Sequence, residues 1–254
     1  MQRIALITGA SSGIGEATAR LLAGDGWRCV LLARRAERLA PLAEEIGGEY
    51  EVVDVADRVA VERVAASVLE QHPRISLLMN NAGIGARAGF FDCPADRIEQ
   101  VTATNYLGSV WCLRAFLPGL EAAAPSDVVN VVSVAGTVAF APSGPYTASK
   151  HAQLALSRAA SAELRGRGIR VHTVNPGFVE TEGFPQATTL RSGVFRRAVI
   201  GPEPVARHIH GLIGRAPSET FIPRFYRVFA LLQALFPGTV GRVAARSGYR
   251  STAS

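Results

Sequence analysis

The chain has 254 residues, 48% of them hydrophobic and 19% charged, so it can bury a sizeable core and is not a disordered protein. Its formal net charge of +6 suits a nucleic-acid binder at first sight, but residues 187–254 alone carry ten arginines against two acidic residues. Because the preceding residues are nearly neutral and no nucleic-acid-binding module is recognisable, we expect no nucleic-acid partner.

Cysteine usage and the N-terminal residues predict a reducing, cytoplasmic location. The three cysteines form no CxxC pair, which argues against a disulfide scaffold and against a zinc cluster. The first apolar run starts at Ile4 and reaches Thr8-Gly9 within a few residues, which is too short for a signal peptide. No run of about 18 apolar residues offers a membrane span, and the five histidines show no metal-ligand spacing, so we expect no metal.

Short apolar runs alternate with longer amphipathic stretches along most of the chain. Nearly continuous apolar runs are typical of strands covered on both faces. The alternation indicates βαβ units and a doubly wound parallel sheet with helices on both faces, in one α/β domain over 1–254. The predicted strands are Arg3–Thr8, Cys29–Ala33, Tyr50–Val53, Ile75–Met79, Val128–Val132 and Ile169–Val174, and the predicted helices lie near 14–25, 35–47, 57–72, 95–120 and 146–166.

A glycine-rich loop links the first strand to the first helix. Glycines permit positive φ and close approach of the backbone to a ligand, and a helix start offers free N–H groups to a pyrophosphate. The spacing is GxxxGxG, which differs from the common GxGxxG fingerprint, and a tight turn without a ligand is the alternative. The candidate phosphate contacts are Gly9, Ser11, Ser12, Gly13, Ile14 and Gly15.

The second strand ends in two arginines, Arg34 and Arg35, where a ribose-binding carboxylate usually stands. A cation at this point suits a 2′-phosphate, which favours NADP(H) and leaves NAD(H) as the second possibility. The alternative is a pair of solvated charges at a helix start, with Arg35 paired to Glu37 or Glu44.

Polar residues also follow the third and fourth strands. Asp54, with Val55 beside it, is placed either to accept a hydrogen bond from an adenine amino group or to cap the next helix. The run Asn80-Asn81-Ala82-Gly83 is placed either to join two loops and flank a ribose or to form an ordinary turn.

The only lysine of the chain, Lys150, follows Tyr146 at the i+4 position, so both share one helix face. An ammonium near a phenol favours the phenolate and lowers a tyrosine pKa that is otherwise about 10. Ser133, at the end of the fifth strand, is placed to donate to a substrate carbonyl oxygen. A Tyr-x-x-x-Lys pair alone is usually a structural pair on a helix surface. Its combination with Ser133 and with the glycine loop favours a proton-transfer site instead.

Together these motifs resemble the short-chain dehydrogenase/reductase family over residues 3–181. The matching elements are TGASSGIG at 8–15, DV at 54–55, NNAG at 80–83, Asn105 in TNYLG, Ser133 in NVVSVAG, YTASK at 146–150 and NPGFVET at 175–181. The resemblance implies a Rossmann-type fold with about seven parallel strands. It also implies an oxidoreductase that transfers hydride between a nicotinamide cofactor and a secondary alcohol or carbonyl.

The same resemblance implies roles for individual residues. Ser133, Tyr146 and Lys150 are expected to be catalytic, and Asn105 to hold a water between the lysine and solvent. The further cofactor contacts that it implies are Asn81, Ala82, Gly83, Tyr146, Lys150, Pro176, Gly177, Val179 and Thr181. NADP-preferring members often carry a base where this chain has Ser12, so the NADP(H) prediction depends on the two arginines. A homodimer or homotetramer is expected, with the helices near 95–120 and 146–166 at the interface.

The residues that determine substrate specificity are expected after Gly177, in a substrate lid region over 182–215. Gly183 and Gly193 are placed to let such a lid move. Apolar residues there suit a lipophilic alcohol or ketone, either steroid-like, acyl or a simple ketone, unless they only pack the lid. These residues are Phe178, Phe184, Val194 and Phe195, with Phe90 and Phe140 as additional candidates.

The C-terminal extension, residues 221–254, combines an apolar helix with arginines. From Phe225 to Phe236 only Arg227 and Gln233 are strongly polar, so the helix must bury against the core, a second subunit or a membrane surface. Burial against the fold or a partner is the more frequent outcome, and peripheral membrane contact through 221–250 is the alternative.

Two other functions remain open from sequence. One is a 3-oxoacyl thioester reductase of the fatty-acid type, which shares the same core. The other, of a different class, is a cofactor-sensing binding protein without turnover, which usually shows a damaged Tyr-Lys pair.

Overall fold

A seven-stranded parallel sheet forms the centre of the protein, with strand order β3-β2-β1-β4-β5-β6-β7. The computed structural model describes residues 2–86, 88–140, 143–184 and 198–246. The strands are Ile4–Thr8 (β1), Arg28–Ala33 (β2), Glu49–Val52 (β3), Leu77–Asn80 (β4), Ser126–Val131 (β5), Ile169–Pro176 (β6) and Glu219–Ile222 (β7). The order reverses between β1 and β4, and ligands of open α/β sheets bind at such a switch point, outside the carboxyl ends of the strands.

Helices cover both faces of the sheet. Their bounds are Gly13–Gly24 (α1), Ala36–Ile46 (α2), Arg58–Gln71 (α3), Ala95–Thr102 (α4), Gly108–Ala123 (α5), Gly144–Leu164 (α6), Pro202–His210 (α7), Tyr226–Leu235 (α8) and Pro237–Arg246 (α9). Apolar residues of α3, α5 and α6 pack in one core cluster, and those of α1, α2 and α7 in another. The predicted fold class, a doubly wound α/β sheet of the Rossmann type, is confirmed.

Burial of the central strands on both faces explains their continuous apolar runs. In β1, Leu6 belongs to one core cluster and Ile7 to the other, and both are fully buried. The edge strand β3 differs, because its Tyr50 and Val52 are exposed. Each sheet face therefore receives alternate side chains of the same strand, as the pleat requires.

The segment predicted as one helix near 95–120 contains an irregular turn. Residues Ala103–Leu107 form a π-helical segment between α4 and α5, and Asn105 lies within it. Such single-turn widenings concentrate at functional sites because they re-aim a backbone group.

The structure revises two expectations for the C-terminal quarter of the chain, one on the lid region and one on the apolar helix. Within the predicted lid region 182–215, α7 is a core helix, with Val205 and Ile209 fully buried against α1 and the sheet. Residues 185–197 lie outside the described residues, so the lid stays a prediction for the stretch before α7. Of the three alternatives for the apolar helix, burial against the fold accounts for little of α8, because only Tyr226 is buried there, so a partner subunit and a membrane surface remain. Within the part of the chain that the structure describes, no helix is long and apolar enough to cross a membrane.

Candidate active site

The glycine loop lies between β1 and α1, at the switch point of the sheet. Gly9 and Gly13 have positive φ of 66° and 59°, a conformation that disfavours other residues. A Cβ on Gly9 would lie 2.7 Å from Ala82 Cα, and one on Gly13 would lie 2.9 Å from Thr181 Cγ2. The loop therefore needs glycine at both positions, and it lies against the segments after β4 and β6 that the sequence assigns to the same site.

The Arg35 side chain extends across this loop. Its guanidinium donates to Ser11 Oγ at 3.1 Å and to Ser12 Oγ at 2.9 Å, and pairs with Glu182 Oε1 at 2.8 Å. The alternative pairing with Glu37 or Glu44 is therefore wrong. Hydrogen bonding and charge from Arg35 lower the pKa of Glu182 below its usual value. A strong cation thus stands beside the candidate phosphate contacts.

Asp54 and Arg34 lie at the next strand ends. Arg34 Nη1 is 3.5 Å from Asp54 Oδ2, and both side chains are largely exposed. Asp54 Oδ1 accepts from Ala56 N, whereas the cap of α3 is Asp57, whose Oδ1 accepts from Ala60 N. Asp54 is therefore not the helix cap, and one of its oxygens remains at the rim beside Arg34.

Asparagines after β4 join neighbouring segments of the rim. Asn81 Nδ2 donates to Thr8 O at 3.0 Å and to Gly9 O at 3.2 Å, which ties the β4 loop to the glycine loop. Asn80 Nδ2 donates to Asn130 Oδ1 at 2.9 Å inside the sheet. The run therefore joins two loops, as one of its two interpretations predicts, and is more than an ordinary turn.

Lys150 lies buried beneath the rim, with a side chain that is only 3% exposed. Its Nζ is 5.9 Å from the centroid of the Tyr146 ring and donates to Val131 O at 3.1 Å and Gln153 Oε1 at 2.7 Å. Burial lowers the pKa of Lys150 from 10.5 to about 7. The lysine is thus poised to gain or lose a proton at neutral pH, next to the phenol that it is predicted to activate.

The π-helical segment fixes Asn105 against the β4 loop. Asn105 Oδ1 accepts from Ile84 N at 2.8 Å, while its Nδ2 donates to Ile84 O at 3.0 Å and to Ser149 Oγ at 2.9 Å. Asn105 thereby braces Gly83, where an added Cβ would lie 3.6 Å from Lys150 Nζ. The structure brings Asn105 and Lys150 to one place, although their motifs lie far apart in sequence.

Ser133 follows β5 and begins a short 3₁₀ turn over Val134–Gly136. Its Oγ accepts from Ala135 N at 3.1 Å, so the hydroxyl proton remains available to another acceptor. A Cβ on Gly136 would lie 2.8 Å from Lys150 O, which shows how tightly this turn packs on α6. The turn after Ser133 and the helix that carries Tyr146 and Lys150 therefore form one packed unit.

Gln153 and Ser109 are buried polar residues that no motif predicts. Gln153 Nε2 donates to Ser109 Oγ at 2.9 Å, and Ser109 Oγ donates to Asn105 O at 3.3 Å. Helical spacing was the only available signal, since Gln153 lies one turn after Lys150 on α6. The pair connects the lysine to the asparagine through side chains.

Aromatic rings line the mouth beside Tyr146. The Phe184 ring centroid is 5.5 Å from that of Tyr146, and Phe90 packs on Gly144 at the start of α6. On the other side, a Cβ on Gly177 would lie only 2.0 Å from the Tyr226 ring, so Tyr226 seals the segment after β6. Phe178 and Phe140 pack with Tyr226, while Val194, Phe195 and Gly193 lie outside the described residues.

A model of the short chain dehydrogenase family matches residues 3–190 of the chain. The chain belongs to this family. An uncharacterized oxidoreductase of Mycobacterium tuberculosis is 44% identical over 181 residues, which are 71% of this chain and 71% of that protein.

Solved structures agree with the family. An alcohol dehydrogenase from the archaeon Thermococcus sibiricus, complexed with 5-hydroxy-NADP, matches with a TM-score of 0.77 at 28% identity and covers 87% of this chain and 96% of its own. A metagenomic short-chain oxidoreductase in complex with NADP matches with a TM-score of 0.73 at 33% identity. The match covers 86% of this chain and 96% of that chain. This short chain dehydrogenase is therefore an NAD(P)-dependent oxidoreductase.

The rim of this short chain dehydrogenase fits a nicotinamide dinucleotide. The glycine loop leaves backbone space where any Cβ would clash, the start of α1 offers free N–H groups, and Arg35 supplies positive charge.

Among the described residues, no group of three metal-ligating side chains is close enough to hold a metal ion. His208 and His210 point to separate partners, Thr220 and Asp25.

Proposed function

We propose that this short chain dehydrogenase uses NADP(H) to interconvert a lipophilic secondary alcohol and its ketone, with Tyr146 as the acid–base group. The observation that carries the proposal is the position of the only lysine, buried at the sheet rim with Nζ 5.9 Å from the Tyr146 ring. A lysine is rarely buried without a charged partner, so this position calls for a functional reason.

Each side chain has a separate task in the proposed reaction. When bound, the nicotinamide ring donates hydride to the substrate carbon or accepts it. Tyr146 gives its hydroxyl proton to the carbonyl oxygen during reduction and takes it back during oxidation. Ser133 donates a hydrogen bond to the same oxygen and stabilises the charge that develops there. The Lys150 ammonium stabilises the Tyr146 phenolate, and the charge of the phenolate in turn favours the ammonium over the neutral amine. Asn105 holds the backbone around the lysine.

The cofactor contacts follow the same rim. The glycine loop with Ser11 and Ser12 would hold the pyrophosphate, Asp54 and Val55 the adenine, and Asn81, Ala82 and Gly83 a ribose. The residues from Pro176 to Thr181 would flank the nicotinamide. Arg35, hydrogen-bonded to both serines of the loop, supports a preference for the 2′-phosphate of NADP(H), with Arg34 beside it. The NADP ligands of the two structural neighbours agree with this preference.

Aromatic residues at the mouth support a lipophilic substrate. Phe184 lies directly against Tyr146, and Phe90 packs at the start of the helix that carries Tyr146. Phe178 packs on Tyr226, beside the segment after β6. A pocket that is mostly apolar with a few polar groups at its base selects an apolar molecule with one reacting oxygen.

We also propose a cytoplasmic homo-oligomer that contacts itself through the helices near 95–120 and 146–166, which are α4, α5 and α6. All three cysteines are buried free thiols, which suits a reducing compartment. Size-exclusion chromatography with light scattering tests the assembly, and a monomer at micromolar concentration would contradict it.

A redox screen tests the proposed function. The purified chain is mixed with NADPH or NADH and a panel of apolar ketones, an acetoacetyl thioester and sugar-derived ketones, and absorbance of the reduced nicotinamide is followed. We expect turnover of apolar ketones with a higher kcat/KM for NADPH than for NADH. A higher kcat/KM for NADH would refute the cofactor preference, and turnover restricted to sugars or to the thioester would refute the substrate class.

A further inference from the structure

Seven exposed apolar side chains cluster on and around α8. They are Phe225, Val228, Phe229, Leu231, Leu232, Leu235 and Phe236, here called the apolar patch, and each is between 42% and 69% exposed. At 3.6 residues per turn they fall within roughly 160° of the helix circumference. The opposite side of α8 carries Tyr226 and Ala230, which pack on the core. The helix is therefore held by one face and presents a wide apolar face outward.

The charged residues of the segment that carries the apolar patch are of one sign. Arg224 and Arg227 are exposed next to residues of the patch, and Arg242 is exposed on the following helix, α9. Residues 220–254 contain no aspartate or glutamate. An apolar face rimmed by arginines complements a surface that is apolar inside and anionic outside, as a bilayer with anionic headgroups is.

We propose that the apolar patch docks on an anionic lipid surface, with α8 lying in the plane of the interface. Ten helical residues span about 15 Å, so α8 is able to lie in the headgroup region but not to cross the bilayer. The apolar side chains enter the acyl boundary, and the arginines bind headgroup phosphates.

A second copy of the chain is the weaker occupant. A twofold contact places the same surface on both partners, so the arginines at the edge of one patch would meet those of the other. No acidic residue of the C-terminal segment is present to pair with them.

Docking at this face also bears on the site, a consequence that rests on the proposed function. Tyr226 projects from the inner side of α8 onto Gly177, beside the predicted nicotinamide pocket. The edge of the active site then lies about one helix diameter, roughly 10 Å, from the headgroups. A lipid-dissolved alcohol or ketone would have a short path to Tyr146.

Vesicle flotation of the full chain tests the docking without any enzymatic readout. We expect binding to vesicles of phosphatidylcholine with phosphatidylglycerol, little binding to phosphatidylcholine alone, and weakening as salt screens the arginines. Because flotation does not depend on turnover, failure of the proposed function and failure of docking are distinguishable.

Matched variants separate insertion from general surface effects. Leu235→Ser should weaken binding to the anionic vesicles about tenfold, and Arg227→Gln about fivefold. Val228→Ser and Val59→Ser make the same change at helical positions that are 56% and 62% exposed, and only the first should weaken binding. Arg63→Gln on α3 is the corresponding charge control.

Three results would overturn docking on lipid. One is the absence of binding to either vesicle. Another is vesicle binding that Arg227→Gln abolishes but Leu235→Ser leaves unchanged. Such binding would depend on charge without insertion of apolar side chains, and would indicate an acidic protein or polymer as the partner. The third is an oligomer that Leu235→Ser dissociates while vesicle binding is absent, which would assign the patch to a second copy.

An independent observation concerns the buried amide of Gln153. Asn105 O is only an acceptor, so the Ser109 hydroxyl that bonds to it must donate, and it therefore accepts from Gln153 Nε2. This order places Gln153 Oε1 toward Lys150, whose Nζ is 2.7 Å away. Gln153 is fully buried, so water does not compete for this contact.

We infer that Gln153 is a positioning residue, which holds Nζ of Lys150 in place and stabilises its ammonium form. The inference rests on the proposed function, in which that ammonium makes Tyr146 more acidic. Two acceptors, Gln153 Oε1 and Val131 O, use two of the three N–H donors of the ammonium, so one donor remains for another acceptor. Loss of the Gln153 acceptor would disfavour the ammonium and with it the phenolate of Tyr146.

The pH profile of alcohol oxidation tests this role. Gln153→Met should move the midpoint of the rising limb of kcat/KM upward by about one pH unit, the effect of losing one hydrogen bond to a charged group. Ser109→Ala, a milder change, should move it less in the same direction. Ser157→Ala is the control, because Ser157 is buried on the same helix but bonds to Asn130 and Thr173.

An unchanged midpoint in both variants, with only a lower rate, would overturn the role of Gln153. Unfolded protein lowers the rate without moving the midpoint, so a purely structural effect is recognised. If Tyr146→Phe retained turnover, the proposed function would fail, and this outcome is separate from any result with Gln153.

Discussion

The buried Lys150 makes the free energy of unfolding of the chain depend on pH. Burial lowers its pKa to about 7 in the folded chain, whereas its ordinary value is 10.5. Between these values the unfolded chain binds more protons than the folded chain. The free energy of unfolding therefore rises with pH in this window, and below the window the folded chain bears the cost of a buried charge.

Replacing Lys150 with methionine removes this pH dependence while keeping the length of the side chain. Between pH 7 and pH 9 we expect the wild-type chain to gain about 2 kcal/mol in unfolding free energy relative to Lys150→Met. Urea denaturation at the two pH values measures the difference. An identical pH dependence in both chains would mean that the lysine keeps its proton in the fold.

Arg35 is the residue on which cofactor selection depends most. Its guanidinium already bonds to Ser11 and Ser12 at the loop, so a 2′-phosphate placed there would gain charge-assisted hydrogen bonds. Replacing Arg35 with serine should raise the KM for NADPH about twentyfold and leave the KM for NADH nearly unchanged.

Steady-state kinetics with both cofactors measure the effect of Arg35→Ser. Arg20→Ser is the control, because Arg20 is also an exposed arginine but pairs with Glu16 and Glu45 on the helices. An equal loss with NADPH and NADH would assign Arg35 to holding the loop and would leave the 2′-phosphate to another residue.

Contacts between distant residues limit what the sequence alone predicts of the site. The Tyr146–Lys150 pair is predictable because helical spacing sets it. The Arg35–Glu182 pair joins residues 147 positions apart, so only the fold brings the two together. Gln153 belongs to no motif, and its contact with Lys150 depends on the burial of both, which a periodic pattern does not specify.

At the scale of elements, a largely buried charged cluster joins β5 and β6 near their amino-terminal ends, at the opposite end of the strands from the site. Asp127 accepts two hydrogen bonds from Arg170, at 2.8 and 2.7 Å, and is 3.0 Å from His172 Nε2. Burial raises the pKa of Asp127, but hydrogen bonds and charges from Arg170 and His172 outweigh it, so the net pKa is lowered.

Removal of the Asp127 carboxylate takes the partner from the half-buried Arg170 guanidinium, the buried His172 ring and the Gly214 N–H. Asp127→Ala should lower the unfolding free energy by about 3 kcal/mol, whereas Glu62→Ala, which breaks an exposed pair with Arg58, should cost less than about 0.5 kcal/mol. Chemical denaturation at neutral pH compares them. Equal, small losses would show that the cluster adds nothing to the pairing of β5 with β6.

Strand prediction succeeds where apolar residues run together in the sequence, which includes the edge strand β3 although its Tyr50 and Val52 are exposed. Six strands are predictable from their apolar runs, but β7 is not, because only Phe221 of its four residues is buried. The π-helical turn at Asn105 is hidden within one amphipathic stretch, since its local pattern does not differ from that of the flanking helices. The missed features thus depend on tertiary contacts and not on local preference.

At the scale of the whole molecule, the net charge belongs to the C-terminal quarter. Residues 1–186 are nearly neutral and form six of the seven strands and the nucleotide rim, whereas residues 187–254 carry ten arginines against two acidic residues. The helix α8 joins the two parts, since its inner face seals Gly177 through Tyr226 and its outer face is the apolar patch. Catalysis and localisation are therefore expected to respond to different substitutions.

Turnover by Tyr146→Phe is the measurement that tests the proposed chemistry most directly. The substitution removes one hydroxyl and keeps the ring that packs against Phe184. With the best ketone from the screen, we expect kcat to fall by a factor on the order of 10³ while NADPH binding, followed by fluorescence, stays within about twofold. Turnover comparable to that of the wild-type chain, with the same NADPH affinity, would contradict the role of Tyr146.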